Sequence, residues 1–215
     1  MIYRKNGFYG DNIVCDDQAD GRSGFRTSAL IETTPWRGAG EPVHAARAEL
    51  TYDDEALYVR MRSYELSPID TRRNFGDPVC RDSCLEFFFS PVPGEKAYFN
   101  FELNPSAVMY VGFSRAGTRS DSRLLSDLDI RDNSFFSARS ARTGTYWEVS
   151  YKIPYTFIRR YAPEFKTPVP GDVLRCNFYT CCDDAEQPYY TVWHYINAPG
   201  PDYHRPECFG ALVFE

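Results

Sequence analysis

Short apolar runs of strand length recur along this chain, and Gly, Pro, Asn and Asp residues separate them. Most of these runs alternate apolar with polar residues, which is typical of strands with one buried face. Helical periodicity is scarce, and 16% of the residues are aromatic, a class that strands favour. We therefore predict strands at residues 45–52, 56–64, 83–90, 97–104, 107–113, 146–153, 173–182, 190–195 and 209–214.

About nine or ten short strands fit an all-β fold, a single antiparallel β-sandwich, better than a helical or alternating β-α fold. The 215 residues contain no internal repeat or linker, so we expect one domain over residues 1–215. Residues 114–133 carry mixed charge with little periodicity and predict a surface excursion with one short helix. A second short helix is predicted after Pro154, because proline favours the first turn of a helix.

Composition and charge exclude several classes of function. The formal net charge of -6 gives no general attraction to nucleic acid. No apolar run approaches the length of about 18 residues that a membrane span needs. The first residues lack the apolar segment of a secretion signal, so a cytoplasmic location is expected for the chain as written. Removal of a leader from a longer chain would make it a secreted protein instead.

The seven cysteines show neither the spacing of a disulfide framework nor a paired C-x-x-C zinc motif. Cys80 with Cys84, and Cys181 with Cys182, could hold a metal, but buried reduced thiols are the simpler interpretation. The sequence leaves the metal question open and indicates no certain cofactor.

One predicted strand, residues 98–104, separates its side chains sharply between two faces. Phe99, Phe101 and Leu103 are expected in the core, because successive strand residues point to opposite sides. The opposite face then carries polar groups and one ring, namely Tyr98, Asn100, Glu102 and Asn104. A later strand repeats the pattern with Arg175, Asn177 and Tyr179. Such a face suits a sugar, whose hydroxyls need paired polar partners, although an ordinary solvated sheet face is the alternative.

Several blocks of sequence resemble the recurring signatures of family 9 carbohydrate-binding modules. They are LTYDDEALYV at residues 50–59, DSCLEFF at 82–88 and PECFGAL at 206–212, with further counterparts at 98–104, 177–179 and 201–206. The resemblance extends from about residue 29 to residue 215. It implies a DOMON-like β-sandwich that binds sugar, in that family at the reducing end of a xylan or cellulose chain.

The resemblance also assigns site residues. Glu86 matches the Glu of the family's D-S-x-E strand, Asn100 matches the polar residue of the next strand, and Tyr203 matches a stacking aromatic ring. The second aromatic ring should lie just before the D-S motif, where this chain has Val79, Cys80 and Arg81. Phe75 and Trp193 are candidates to replace it. The full predicted ligand-binding set is Tyr98, Glu86, Asn100, Glu102, Trp193, Tyr203 and Arg205.

The resemblance further implies that structural calcium could bind at loop aspartates, for which Asp53, Asp54, Asp183 and Asp184 are the candidates. From the residues and the resemblance together we predict carbohydrate binding without catalysis, at the end of a xylan-type or cellulose-type chain. One alternative is glycoside hydrolysis by Glu86 and Glu102, which would need a raised carboxyl pKa. Another is haem binding, with ligands drawn from Met61, Met109, His44, His194 and His204. A protein partner is the third.

Overall fold

The computed structural model describes residues 12–17, 28–38, 40–127, 129–132 and 134–215. The described chain contains thirteen strands and one α-helix. They are β1 (Asn12–Asp17), β2 (Ala29–Ile31), β3 (Ala46–Tyr52), β4 (Ala56–Ser63), β5 (Cys84–Ser90), β6 (Tyr98–Leu103), β7 (Met109–Ser114), β8 (Arg123–Leu124), β9 (Arg139–Arg142), β10 (Trp147–Pro154), α1 (Tyr155–Tyr161), β11 (Val173–Cys182), β12 (Tyr189–Val192) and β13 (Gly210–Phe214).

The strands form two sheets that share β1. The first sheet runs β8-β7-β6-β5-β11-β13-β1, with β12 also paired to β11, and the second runs β1-β3-β4-β10-β9, with β2 paired to β3. All pairings are antiparallel except those of β1, which is parallel to β13 over its first residues and parallel to β3 over its last two. The prediction of an all-β sandwich is confirmed, and β1 adds a parallel connection that the sequence pattern does not predict.

The main core lies between the two sheets. Phe99, Phe101 and Leu103 of β6 point into it, as the alternation of this strand predicts. From the facing sheet, Tyr151 of β10 stacks near Phe101 with ring centroids 5.9 Å apart. Burying one large apolar side chain of this kind contributes about 1.5–3 kcal/mol. The alternating strands therefore hold the sandwich together.

The outer face of the first sheet is also covered. Phe88, Tyr98 and Tyr179 from β5, β6 and β11 form a second buried cluster with Tyr203 and Phe209 from the segment that leads into β13. Every residue of β5 and β6 is consequently buried. The alternative of a solvated sheet face is therefore wrong, because the chain between β12 and β13 folds over it.

The excursion after β7 stays close to the same sheet. It contains a short 3-10 turn at Arg119–Asp121, and then β8, which pairs with β7. The Asp121 carboxylate accepts hydrogen bonds from the backbone N–H groups of Arg115 and Ala116, both at 2.7 Å. This turn brings Arg119 to the covered face. Across the described residues, no helix has the length and apolar character to cross a membrane.

Candidate functional site

A cleft opens on the covered face of the first sheet, above β5, β6 and β11. The sheet supplies its floor, which includes Glu86, Glu102 and Cys181. The surrounding segments supply its walls, which include Arg119, Tyr190, Tyr203 and His204. The empty volume is about 450 Å³ including the opening to solvent, which is toward the small end for ligand sites in proteins.

Two buried carboxyl groups lie side by side on the cleft floor. Glu86 and Glu102 are directly paired across β5 and β6, so their Cβ atoms lie about 5 Å apart. Only 3% of Glu86 and 7% of Glu102 is exposed. The thiol of Cys181 donates to Glu86 Oε1 at 3.0 Å, and Asn100 Nδ2 donates to Glu102 Oε1 at 2.8 Å. Within the described chain, neither carboxyl forms a salt bridge.

Burial raises the pKa of both glutamates, because it penalises the charged form. The charge of Glu102 raises the pKa of Glu86 further, and Asn100 and Arg119 oppose the rise at Glu102. The pair is therefore easier to protonate than ordinary glutamates are. It can present an O–H donor as well as carboxylate acceptors to a ligand.

Arg119 stands at the rim as an exposed cation. Its guanidinium forms no salt bridge with any residue that the structure describes. It also borders a wider groove beside the cleft, which contains Lys96, Arg175 and Arg205. Sequence analysis places Arg119 only in a charged surface excursion, because its position depends on the 3-10 turn rather than on any periodic pattern.

The aromatic rings of the cleft are Tyr203 and Tyr190. Tyr203 is only 8% exposed, and one face of its ring is stacked on Tyr179, with centroids 4.0 Å apart. Its hydroxyl donates to the backbone oxygen of Thr180 at 3.1 Å. Tyr203 thus lines the cleft with its uncovered surface, and its role as a stacking ring stays a prediction. The hydroxyl of the partly exposed Tyr190 donates to Asp183 at 2.8 Å.

Tyr190 is a ring that sequence analysis does not single out for the site. Its position in β12, opposite Cys181 of β11, places it at the cleft. The sequence alone does not give this pairing, because it does not give the register of the two strands. Cys80 lines the cleft in the segment where the resemblance calls for a second aromatic ring. Phe75, one proposed replacement, packs against the main core.

Four of the predicted ligand residues lie outside this cleft. Tyr98 is fully buried and hydrogen-bonds His204 Nδ1 at 2.6 Å, and Asn100 is 1% exposed behind Glu102. Arg205 is paired with Asp202 at 2.7 Å and borders the wider groove. Trp193, the last of these four predicted ligand residues, lies in the main core. β12 ends at Val192, and Trp193 is 1% exposed in the main core, where it packs on Phe178.

Three of the four aspartates considered for calcium are engaged in other interactions, and the fourth, Asp54, is exposed. Asp53 accepts hydrogen bonds from the N–H groups of Glu55 and Ala56 and from the hydroxyl of Tyr58, which shapes the turn between β3 and β4. Asp184 is paired with Arg72 and Arg81, and Asp183 accepts from Tyr190. The structure therefore gives these loops a role in turns and ion pairs.

In the part of the chain that the structure describes, Met61, Met109 and the three histidines are not grouped around a common pocket. Met61 and Met109 are fully buried in the main core. His44 stacks on Tyr189, His194 hydrogen-bonds the backbone oxygen of Cys208, and His204 borders the cleft. Because the two methionines point between the sheets while the histidines lie on loops, this arrangement does not suit a Met–His ligand pair.

The sequence of residues 29–214 matches the model for carbohydrate-binding family 9. The chain belongs to carbohydrate-binding family 9. This membership confirms the resemblance read from the sequence and supports carbohydrate binding as the general function. Comparison of the sequence with curated proteins of known function found no match.

Solved structures show the same fold. A candidate carbohydrate-binding protein from Bacteroides uniformis ATCC 8492 is 19% identical, with a TM-score of 0.76 over 95% of this chain and 99% of the other. A family 9 module from Caldicellulosiruptor kristjanssonii in complex with glucose is 13% identical, with a TM-score of 0.61 over 95% of each chain. The same organism's module in complex with cellotriose is 12% identical, with a TM-score of 0.60 over 95% of this chain and 93% of the other.

Proposed function

We propose that the cleft binds the end of a xylan-type or cellulose-type oligosaccharide and leaves it uncleaved. The observation that carries this proposal is the buried Glu86–Glu102 pair on the floor of a small cleft, in a chain of carbohydrate-binding family 9. Glucose and cellotriose, the ligands of the Caldicellulosiruptor modules, define the class of sugar to test first.

The chemistry of the cleft suits a sugar. The carboxyl oxygens of Glu86 and Glu102 accept hydrogen bonds from neighbouring hydroxyls, and a protonated member of the pair donates one. Arg119 supplies N–H donors from the rim, and Tyr190 and Tyr203 supply ring surface for the C–H groups of a pyranose. The modest volume of the cleft favours the end of an oligosaccharide over its middle. A sugar bound in the middle of a chain needs room for the chain to leave the cleft on both sides.

The test is an isothermal titration of the whole chain with xylose, glucose, xylo- and cello-oligosaccharides and their reduced alditols. We expect Glu102→Gln to weaken sugar binding by about tenfold, because a charged acceptor is lost. Glu49→Gln is the matched control, since Glu49 lies on β3 in the other sheet, paired with Arg60, and its affinity should equal that of wild type. Equal affinity of Glu102→Gln and wild type would reject this site.

The alditols decide which end of the chain is bound. Loss of binding on reduction supports recognition of the reducing end, because only that end changes. Undiminished binding of the alditols would instead indicate that the cleft binds the non-reducing end.

Glycoside hydrolysis is the second candidate, and the same glutamate pair favours it. Glu86 and Glu102 are direct neighbours across two strands and both have raised pKa values, and a glycosidase likewise needs a pair of neighbouring carboxyl groups of which one has a raised pKa. Chromatography of the titrated oligosaccharides separates the candidates, because hydrolysis yields shorter products with time. Unchanged oligosaccharides after prolonged incubation support binding alone.

A further inference from the structure

We propose that Cys84, Glu86 and Cys181 form a binding site for one thiophilic divalent cation of the zinc class, at the floor of the cleft. One ligand atom from each of these three residues lies within 4.8 Å of the other two, and all three side chains are buried. The proposal concerns a metal and does not depend on the sugar proposed above.

The strand register explains why these residues meet. Cys84 of β5 and Cys181 of β11 are direct partners across the two antiparallel strands. Glu86 follows Cys84 by two residues, so its side chain points to the same face of the sheet. In the sequence, Cys80 is close to Cys84 and Cys181 is next to Cys182. In the structure the pair that meets is Cys84 and Cys181, which lie opposite each other on neighbouring strands.

The three ligand atoms lie close enough together to surround one small ion. Zinc lies about 2.3 Å from thiolate sulfur and about 2.0–2.2 Å from carboxylate oxygen, which places neighbouring ligand atoms roughly 3.5–3.8 Å apart. Cys181 Sγ and Glu86 Oε1 are 3.0 Å apart, so a small side-chain rotation would admit the ion. The group of close ligand atoms has three members, so the fourth position of a tetrahedral ion would be left to water from the adjoining cleft.

Charge and ligand type select the class of metal. The paired Glu86 and Glu102 are buried without a salt bridge to a described residue, and a bound cation would compensate their charge. Two sulfur ligands favour zinc and related soft cations over calcium or magnesium, which prefer oxygen. The proposed site is therefore chemically different from the calcium site considered at the loop aspartates.

The experiment is a titration of the reduced, metal-free chain with Co²⁺, followed by Zn²⁺, with absorption spectroscopy as the readout. We expect one equivalent of Co²⁺ to produce a thiolate-to-cobalt charge-transfer band, and Zn²⁺ to abolish it by displacement. Cys84→Ala and Cys181→Ala should each lose the band. Cys176→Ala is the matched control, because Cys176 is equally buried on β11 but points into the main core, and it should retain the band.

Further measurements keep the outcome decisive. Circular dichroism verifies the fold of each variant, and Glu86→Gln, which keeps both thiols, should weaken Co²⁺ binding by about tenfold or more. A folded, reduced wild type without the band overturns the proposal, as does a band that survives in both Cys84→Ala and Cys181→Ala. Sugar titration of the same metal-free sample separates the two ideas, since sugar binding without a cobalt band rejects the metal site alone.

Discussion

Gly112 of β7 is opposite Asn100 of β6 and leaves room for its amide. A Cβ atom at this position would lie 2.3 Å from Asn100 Oδ1, closer than any ordinary contact. Asn100 in turn donates to Glu102. The absence of a side chain at one position therefore sets the position of a carboxyl group on the cleft floor.

We expect Gly112→Ala to destabilise the protein by about 1–3 kcal/mol, because the methyl group forces the buried amide to move. Sugar affinity should fall as well, since Glu102 loses its fixed donor. Gly144→Ala is the control, because nothing lies within 4 Å of the added atom. Urea unfolding and calorimetric titration measure the two effects, and equal values for the two variants would contradict this account.

His204 makes stability depend on pH. Burial, and then the positive charge of Arg119, lower the pKa of His204 to about 4, while Asp202 raises it. The folded state thus favours the neutral ring, which hydrogen-bonds Tyr98. The contribution to stability is complete above the ordinary histidine pKa of about 6.5, and it is lost as the pH falls toward 4, because the unfolded chain then takes up a proton first.

Replacing His204 with Gln removes this titration. Between about pH 7.5 and about pH 4.5, wild type should lose on the order of 2 kcal/mol more unfolding free energy than His204→Gln. Urea unfolding of both proteins at both pH values gives the difference, in which the titration of the shared carboxyl groups largely cancels. An equal pH dependence of the two proteins would show that His204 is not responsible.

At the scale of elements, β12 brings a ring to the cleft. Its residue Tyr190 is partly exposed, whereas Tyr203 is held between Tyr179 and its own hydrogen bond to Thr180. A substitution at Tyr203 would therefore disturb packing as well as binding. Tyr190 is the better probe of stacking against a ligand.

Tyr190→Ala should weaken sugar binding by about tenfold with a small effect on stability, because a stacked ring contributes on the order of 1 kcal/mol. Tyr195→Ala serves as control, since Tyr195 is 56% exposed and does not border the cleft. Calorimetric titration of both variants supplies the comparison. Retained affinity in Tyr190→Ala would remove this ring from the site.

Strand elements also show how far a sequence can be interpreted. The alternation in β6 correctly predicts Phe99 and Phe101 in the core, because periodicity depends only on the strand itself. It does not reveal that the chain before β13 covers the other face of the sheet. Arg119 and the meeting of Cys84 with Cys181 also escape prediction, since a 3-10 turn and a strand register place them.

At the scale of the whole molecule, β1 joins the two sheets of the sandwich. Residues 12–15 pair with β13 and residues 16–17 pair with β3. The buried Ile13 anchors this strand in the main core. Because β1 is shared, the stability of the cleft-bearing sheet is coupled to that of the opposite sheet.

Ile13→Ala tests this coupling. The loss of buried side-chain volume should cost about 2–5 kcal/mol and should weaken hydrogen-exchange protection in β13 and β3 together, because both lose the strand between them. Ile153→Ala is a matched control, since Ile153 is equally buried on β10, which pairs with β4 and β9. Its local effect should centre on those strands. Mass spectrometry of exchanged peptides distinguishes the two patterns. Loss of protection in β13 without loss in β3 would mean that β1 does not couple the stability of the two sheets.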